Sequence, residues 1–424
     1  MTLRSLLAGT AARVPERPAL AFEGTRITYA ELDALVTAAL PESPVLPLPM
    51  PNVPDSIARF HGALRHGAVV TPINPLLSER EATQRRQPFD PAPGTEVVLY
   101  TSGTTGDPKR VELPGDALLA NAEHLAREAF ALSEDDVLFG AAPLSHVFGM
   151  TGCMNATIVA GAMLALVRRF DALEALEVIE REDVTVFMGV PAMLTALLTA
   201  STETGRAPQM RLAHVGAAPF SAEVKLAFEE RFGATVLEGY GMTEAGGAIT
   251  AEHIGRPRKP GSVGTAVAGQ ELRIADDGEV LVDFGGRCLA TGDLGRLDDE
   301  GYLYLLDRKK DVILRGGYTV YPRQVEEALL EHPAVREAVV VGVPHAPLGE
   351  EVAALVVPNG PCDPTALKAF VRDRVAAYAY PRLVVVVDDL PRTGTGKVLR
   401  RAIDRTELAE LLAVAGDQTF SRPT

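Results

Sequence analysis

The segment Val97 to Val111 reads VVLYTSGTTGDPKRV. An apolar strand runs into Thr101, Ser102, Gly103, Thr104, Thr105 and Gly106, and Pro108 and Lys109 close the loop. Glycines let backbone N–H groups converge on an anion, hydroxyls donate further hydrogen bonds, and the lysine adds a point charge. That set meets the requirement for holding a polyphosphate. The spacing is GxxGxxK, without the four-residue gap and Lys-Ser/Thr pair of a Walker A loop. A second cluster, GYGMTE, spans residues 239–244. Gly239 and Gly241 allow the backbone to approach a flat ring or a phosphate. Thr243 can donate to a phosphate, and Glu244 is a hard oxygen ligand suited to Mg²⁺ on such a phosphate. Taken alone, Glu244 is an exposed turn residue, and Asp293, in a Thr-Gly-Asp turn, is an ordinary turn aspartate that can also accept two sugar hydroxyls. Lys397 closes the glycine-rich loop Thr393-Gly394-Thr395-Gly396, where most proteins carry a solvated charge. Only seven of the chain's 41 basic residues are lysine, so a lysine at these places is a chemical choice.

These residues need a scaffold, and the periodicities describe one. Residues 171–182 predict a helix with Leu173, Leu176 and Ile179 inward; 184–188 predict a strand, and Pro191 opens a helix through Leu198. A strand over 211–216, a helix capped by Ser221 and running to Arg231, and a strand over 234–241 follow. The alternation predicts an α/β fold with a largely parallel sheet. Residues 263–304 predict a smaller β-rich part. Beyond Asp307 a compact α+β unit is expected. It comprises a helix from Pro322 with Val325, Leu329 and Leu330 inward, strands over 337–344 and 351–358, a helix from Asp363 to about Tyr378, a strand over 382–391 and a last helix after Lys397. This places an N-terminal domain over 1–307, a linker over 308–311 and a C-terminal domain over 312–424. On charge alone, the linker run from Asp307 to Asp311 is a solvated turn.

Composition narrows the function classes. The 424 residues carry a formal charge of −15, which argues against sequence-independent nucleic-acid binding and against attraction to anionic lipid. Cys153, Cys288 and Cys362 are far apart and odd in number, so neither a disulfide framework nor a metal-binding pair is expected. The N-terminus reads as an amphipathic helix rather than a signal peptide. The apolar run from Met150 to Val167, broken by Thr151, Asn155 and Thr157, reads as a buried helix rather than a membrane span. A cytoplasmic protein is expected.

YTSGTTGDPK resembles the phosphate-binding signature of the adenylate-forming superfamily: acyl-CoA and aryl-CoA synthetases, peptide-synthetase adenylation domains and luciferases. Further blocks occur in the family's order. They are APLSHVFGM (142–150), GAAP (216–219), GYGMTE (239–244), TGD (291–293), DRKKDVILRGGYTVYP (307–322) and PRTGTGK (391–397), preceded by PERPALAFEGTRITYAEL and GALRHGAVVTPINP. The resemblance implies a large N-terminal AMP-binding domain of sheets layered with helices plus a small β subdomain, and a mobile α+β C-terminal lid. It implies activation of a carboxylic acid by ATP–Mg²⁺ to an acyl adenylate, then transfer to a thiol. CoA is the preferred acceptor. The phosphopantetheine of a carrier protein is a rival, as is an amine acceptor or activation of another oxyanion such as nitrite. A non-catalytic nucleotide-binding homologue is a further alternative, which the lysine at position 397 argues against.

By the same resemblance, Gly216-Ala217-Ala218 and Gly239-Tyr240-Gly241-Met242 line the nucleotide, and Thr243 and Glu244 serve its phosphates and Mg²⁺. Asp293 and Arg308 hold the ribose. His146 positions the carboxylate and gates the acyl pocket. Lys310 marks the hinge, Gly316-Gly317 line the pantetheine channel, and Lys397 neutralises charge developing as the carboxylate attacks. Amino-acid-activating relatives carry an aspartate before the histidine block, whereas Leu138–Ala142 holds no acid here. Met150, Cys153, Met154, Val190, Met193 and the 216–218 backbone suggest an apolar pocket for an acyl or aryl acid. The chain is also short for the family: about twenty residues separate Pro75 from the phosphate strand.

Overall fold

A computed structural model describes residues 1–101, 109–218, 220–267, 269–392 and 398–416. Contacts divide the chain into two units: Met1–Leu272 with Val282–Leu289 and Leu297–Leu303, and Tyr304–Thr424 with Arg273–Leu281 and Ala290–Arg296.

The first unit is built on a nine-stranded sheet. Its central strands Leu212–Val215, Val186–Gly189, Val137–Gly140, Met163–Leu166 and Pro18–Phe22 pair in parallel, with Thr235–Met242 alongside Leu212–Val215. Antiparallel strands close both edges. Strands buried on both faces must be apolar throughout, and VFMG and MLAL are. One face packs Phe139, Phe187, Phe228 and Phe232 under the helices Ala172–Arg181, Pro191–Thr204 and Ala222–Phe232. The other face meets Leu118, Leu125, Met150 and Met154. A second sheet runs Val45–Pro49, Val69–Ile73, Thr95–Thr101, Lys109–Pro114. The N-terminal helix Leu6–Arg13 buries Leu6, Leu7 and Ala11 as its amphipathic pattern requires.

Three local readings are corrected. The run from Met150 to Val167 is two elements rather than one helix. Gly161 takes φ of 78° after Ala160, ends the helix and turns the chain into the strand Met163–Leu166. Leu173 is exposed while Ala175, Leu176, Val178 and Ile179 face inward, because Asp171 caps the first turn through the amides of Leu173 and Glu174 and sets the helix phase. The helix opened by Asp363 stops at Arg372, and the following strand is the short Leu383–Val386.

The second unit is an α+β body. The long strands Val335–His345 and Gly349–Pro358 form its spine, with Leu383–Val386 beside the latter. The helices Pro322–Leu330 and Pro364–Arg372 pack Val325, Leu329, Leu367 and Val371 against Val340, Val352, Ala354 and Val356. The Gly- and Asp-rich middle segment, whose residues are divided between the two units, forms a four-stranded sheet of Gln270–Ile274, Glu279–Phe284, Arg287–Leu297 and Leu303–Arg308.

Buried histidines give the fold an acid sensitivity. Burial lowers the pKa of His61 to about 3 and those of His214 and His253 to about 4. The folded state therefore holds them neutral while the unfolded chain takes up protons below about pH 6.5. Stability is full above that pH and falls as pH drops from about 6.5 toward 4, by up to about 1.4 kcal/mol per pH unit for each of the fully buried His61 and His214. Urea midpoints at pH 7.5 and 5.5 are expected to show this loss, and His214→Phe to reduce it; equal midpoints would contradict it.

Candidate active site

In the first unit the strand Thr95–Thr101 and the strand Lys109–Pro114 pair antiparallel, with Thr101 opposite Lys109. The stretch between them thus begins and ends at one hydrogen-bonded rung. Ser102, Gly103, Thr104, Thr105 and Gly106 lie outside the described residues, as does Lys397. Lys109, 65% exposed, places its Nζ 3.6 Å from Oε1 of Glu244, which is 17% exposed. Glu244 sits in the one-turn helix Thr243–Ala245 that links the strands Thr235–Met242 and Gly247–Ala251. The structure therefore joins the two motifs that lie 135 residues apart in sequence.

A clamp that the sequence did not announce holds this turn. Asn121, buried on the helix Gly115–His124, donates from Nδ2 to the Ala248 carbonyl at 2.6 Å, and its Oδ1 accepts from the Ala248 amide at 3.1 Å. One side-chain amide thereby stands in for a strand partner. Thr151 donates to the Gly246 carbonyl at 3.2 Å. The available signal was a polar residue inside the apolar helix pattern LLANAEHL, which alone does not name its partner.

The glycines of GYGMTE answer first to packing. A Cβ on Gly241 would stand 2.1 Å from the Gly247 carbonyl oxygen, and one on Gly239 2.7 Å from the His214 ring. Their necessity therefore comes from close approach of neighbouring protein rather than of a ligand. Tyr240 and Met242 lie against the small apolar cluster of Ala245, Ile249 and Val282. Gly216 is buried at the end of its strand, and the exposed Ala217 adopts a left-handed φ of 72°, a conformation costing a non-glycine residue about 1–2 kcal/mol.

His146 is half-buried, and its Nδ1 accepts from the Phe148 amide at 3.2 Å. That bond fixes the tautomer with the proton on Nε2. Met150, Cys153 and Met154 are sealed in the core, so the apolar pocket reading of these three is replaced by a packing role. Burial pushes the Cys153 thiol up to about 12 and leaves it unreactive. Val190 caps the helix Pro191–Thr204 just after the strand Val186–Gly189, and Met193, in that helix's first turn, is partly buried against the phenylalanine cluster.

In the second unit Asp293, 5% exposed, pairs with Arg308 at 2.8 Å. Its turn is fixed on both sides: the Gly292 amide donates to Glu279, and the Gly292 carbonyl accepts from the Lys309 amide. Lys309 itself bridges Asp277 and Glu279 at 2.6 and 2.8 Å, so its role is to brace this turn. Lys310 is exposed in the turn that follows. Asp307 accepts from the amides of Arg308 and of Arg323 in the first turn of the helix Pro322–Leu330, and burial pushes its carboxyl up. Gly316 and Gly317, with φ of 56° and 84°, form the two-residue turn of the hairpin Ile313–Arg315 and Tyr318–Val320. Two positive φ values in such a turn demand glycine-like residues.

Arg392 and Val398 pair antiparallel across the 393–397 stretch. Arg400, just beyond, forks onto the buried Glu326 at 2.7 and 2.8 Å.

A largely parallel nine-stranded sheet, with a Lys–Glu pair joining the turn after its strand Thr235–Met242 to the second sheet, followed in sequence by an α+β unit, defines an adenylate-forming architecture. The chain belongs to the AMP-binding enzyme family, which matches residues 84–292, with the AMP-binding enzyme C-terminal domain matching 324–397. The long-chain-fatty-acid–CoA ligase of Bacillus subtilis (strain 168) is 30% identical, covering 95% of this chain and 94% of the relative. That match extends over 525 aligned positions against 424 residues here, so the chain is trimmed relative to this ligase. ATP-bound MatB from Rhodopseudomonas palustris superimposes with a TM-score of 0.84 at 26% identity, covering 97% of this chain and 100% of that one. The o-succinylbenzoate CoA synthetase of Bacillus subtilis, in complex with ATP and magnesium ion, gives 0.81 at 27% identity over 95% and 99%. Among the described residues no helix is long and apolar enough to cross a membrane.

Proposed function

We propose that this enzyme is an acid–thiol ligase that activates a carboxylic acid with ATP and passes the acyl group to CoA. The carboxylate oxygen attacks the α-phosphorus of ATP, the bond to pyrophosphate breaks, and an acyl adenylate forms. A thiolate then attacks the acyl carbon, AMP leaves and a thioester results. The observation that carries this reading is the Lys109–Glu244 pair, which brings a cation from the phosphate loop beside a carboxylate suited to a hard metal.

The donors fit ATP–Mg²⁺: a lysine that is largely exposed, and a carboxylate partly open to solvent beside the hydroxyl-bearing Thr243. Mg²⁺ held by Glu244 would offset phosphate charge and orient the polyphosphate. Thr101 to Gly106, Lys109 and Thr243 are the proposed phosphate contacts. Gly216 to Ala218 and Gly239 to Met242 are proposed to flank the nucleotide, and Asp293 with Arg308 to bind its ribose. His146 Nε2–H is assigned to positioning the acid. Residues 308–311 are the proposed hinge, with Lys310 within it, between an adenylating and a thioester-forming pose. Lys397 is proposed to act in the first pose, and Gly316-Gly317 to line the thiol channel in the second.

A panel of carboxylic acids scored by pyrophosphate release, with CoA, a phosphopantetheinyl carrier protein or neither, tests the reading. Acid-dependent pyrophosphate release and an acyl-CoA product are expected. A thioester formed only on the carrier protein would reassign the acceptor, and no release with any acid would overturn the ligase reading. Gly317→Leu forces a branched side chain into left-handed backbone. It is expected to slow thioester formation about tenfold more than adenylate formation, at a cost of about 1–2 kcal/mol in stability. Equal losses in both half-reactions would remove the hairpin from the thiol step.

A further inference from the structure

His214 stands on the strand Leu212–Val215, two residues before Gly216, so the two share one face of the sheet. Phe148, from the His146 block, covers that face. Its ring lies 5.9 Å from the His214 ring at an interplanar angle of 19°, and its edge is 3.5 Å from where a Cβ on Gly216 would stand. Phe130 packs on the same ring at 4.8 Å, tilted by 48°. On the next strand Met188 pairs with His214, and the Met188 methyl reaches the space above Gly152. The other edge of His214 abuts Gly239. His214 thus forms a floor between the ends of two blocks assigned to the nucleotide and the block assigned to the acid.

This floor has an unmatched polar atom. His214 is 3% exposed, and among the described residues its buried Nδ1 has no hydrogen-bond partner. A buried acceptor without a donor costs about 1–3 kcal/mol, and a phenylalanine or leucine would fill the same apolar wall without that cost. Burial also keeps the ring neutral, with its pKa lowered to about 4, so near pH 7 one ring nitrogen retains a lone pair, which the Nε2–H tautomer places on Nδ1.

We propose that His214 Nδ1 accepts a hydrogen bond from a hydroxyl or amino group on the body of the substrate acid. The enzyme then selects a hydroxy- or amino-substituted acid over the unsubstituted acid of the same shape. The inference rests on the acid-activating reading above and narrows its substrate class. Phe148, only partly buried, is the side chain that moves or stacks to admit a flat acid. A site built to hydrogen-bond a substrate donor discriminates strongly against the analogue lacking it, because the buried acceptor is then left unpaired.

The test compares kcat/KM, by pyrophosphate release with ATP, Mg²⁺ and CoA, for benzoate against its hydroxy and amino derivatives and for hexanoate against 6-hydroxyhexanoate. At least one donor-bearing acid is expected to exceed its parent tenfold or more. His214→Phe is expected to bring that ratio close to one with the KM for ATP unchanged, and His214→Gln, which keeps an acceptor, to retain part of it. His214→Leu provides the same comparison should the phenylalanine variant not fold. Parents that react as well as their derivatives, or a ratio that survives in His214→Phe and His214→Leu, would overturn the assignment while leaving acid activation standing. Absence of pyrophosphate release with every acid would overturn both.

Discussion

Lys397→Ala is expected to lower acid-dependent pyrophosphate release about 10²–10³-fold while ATP affinity stays within a few-fold of the parent. The size follows from losing one preorganised charge at the point where negative charge develops, an interaction stronger in the transition state than in the ground state. Lys397→Arg is expected to recover little, since a planar fork does not replace a compact ammonium. The residues that flank 393–397 are tied to each other: Arg392 pairs with Val398, and the Leu399 amide donates to the Pro391 carbonyl at 2.6 Å. Single-turnover rates with calorimetric ATP binding check the expectation. An unchanged adenylation rate would remove Lys397 from the chemistry.

Arg400→Met is expected to cost about 3–5 kcal/mol and to loosen the second unit before the first. Glu326 is 7% exposed, and burial already pushes its carboxyl up. Arg400 supplies the compensating charge through two bonds and also donates to the Val340 carbonyl at 2.9 Å, while the Val340 amide donates to Glu326 at 2.7 Å. Without the guanidinium the folded state keeps Glu326 protonated to higher pH than the unfolded chain does. The folded variant then binds the extra proton, so its deficit shrinks as pH falls toward the ordinary carboxylate range. Urea midpoints of Arg400→Met at pH 7.5 and 5.5 are expected to draw closer to the parent at the lower pH. Arg400→Met combined with Glu326→Gln is expected to regain most of the loss. A single variant within about 0.5 kcal/mol of the parent would show that the fork contributes little.

Spacing alone made much of the architecture readable. Apolar runs such as VFMG and LAHV, alternating with helices of 3.6 period, fixed a parallel sheet, because crossover connections bring such strands side by side. Readings failed where a single backbone angle decides the outcome. Gly161 looks like any small residue in an apolar run until its left-handed conformation ends the helix. Met150, Cys153 and Met154 have the softness of pocket residues, and only burial shows that they fill the core. At the site, the residue types Lys109, Glu244, Asp293 and Arg308 were legible, and the pairings Lys109–Glu244 and Asp293–Arg308 were not. Asn121 and Arg400 escaped for the same reason: their partners, a backbone group and a buried acid, are distant in sequence.

The rung between Thr101 and Lys109 separates two properties that usually fail together. The register of the two strands is carried by the pairs from Val97–Leu113 to Tyr100–Arg110 and by that rung, all of them outside residues 102–108. Randomising those seven positions while keeping Thr101 and Lys109 therefore offers a nearly pure assay of ligand contact, in which inactive clones still melt at the parental temperature.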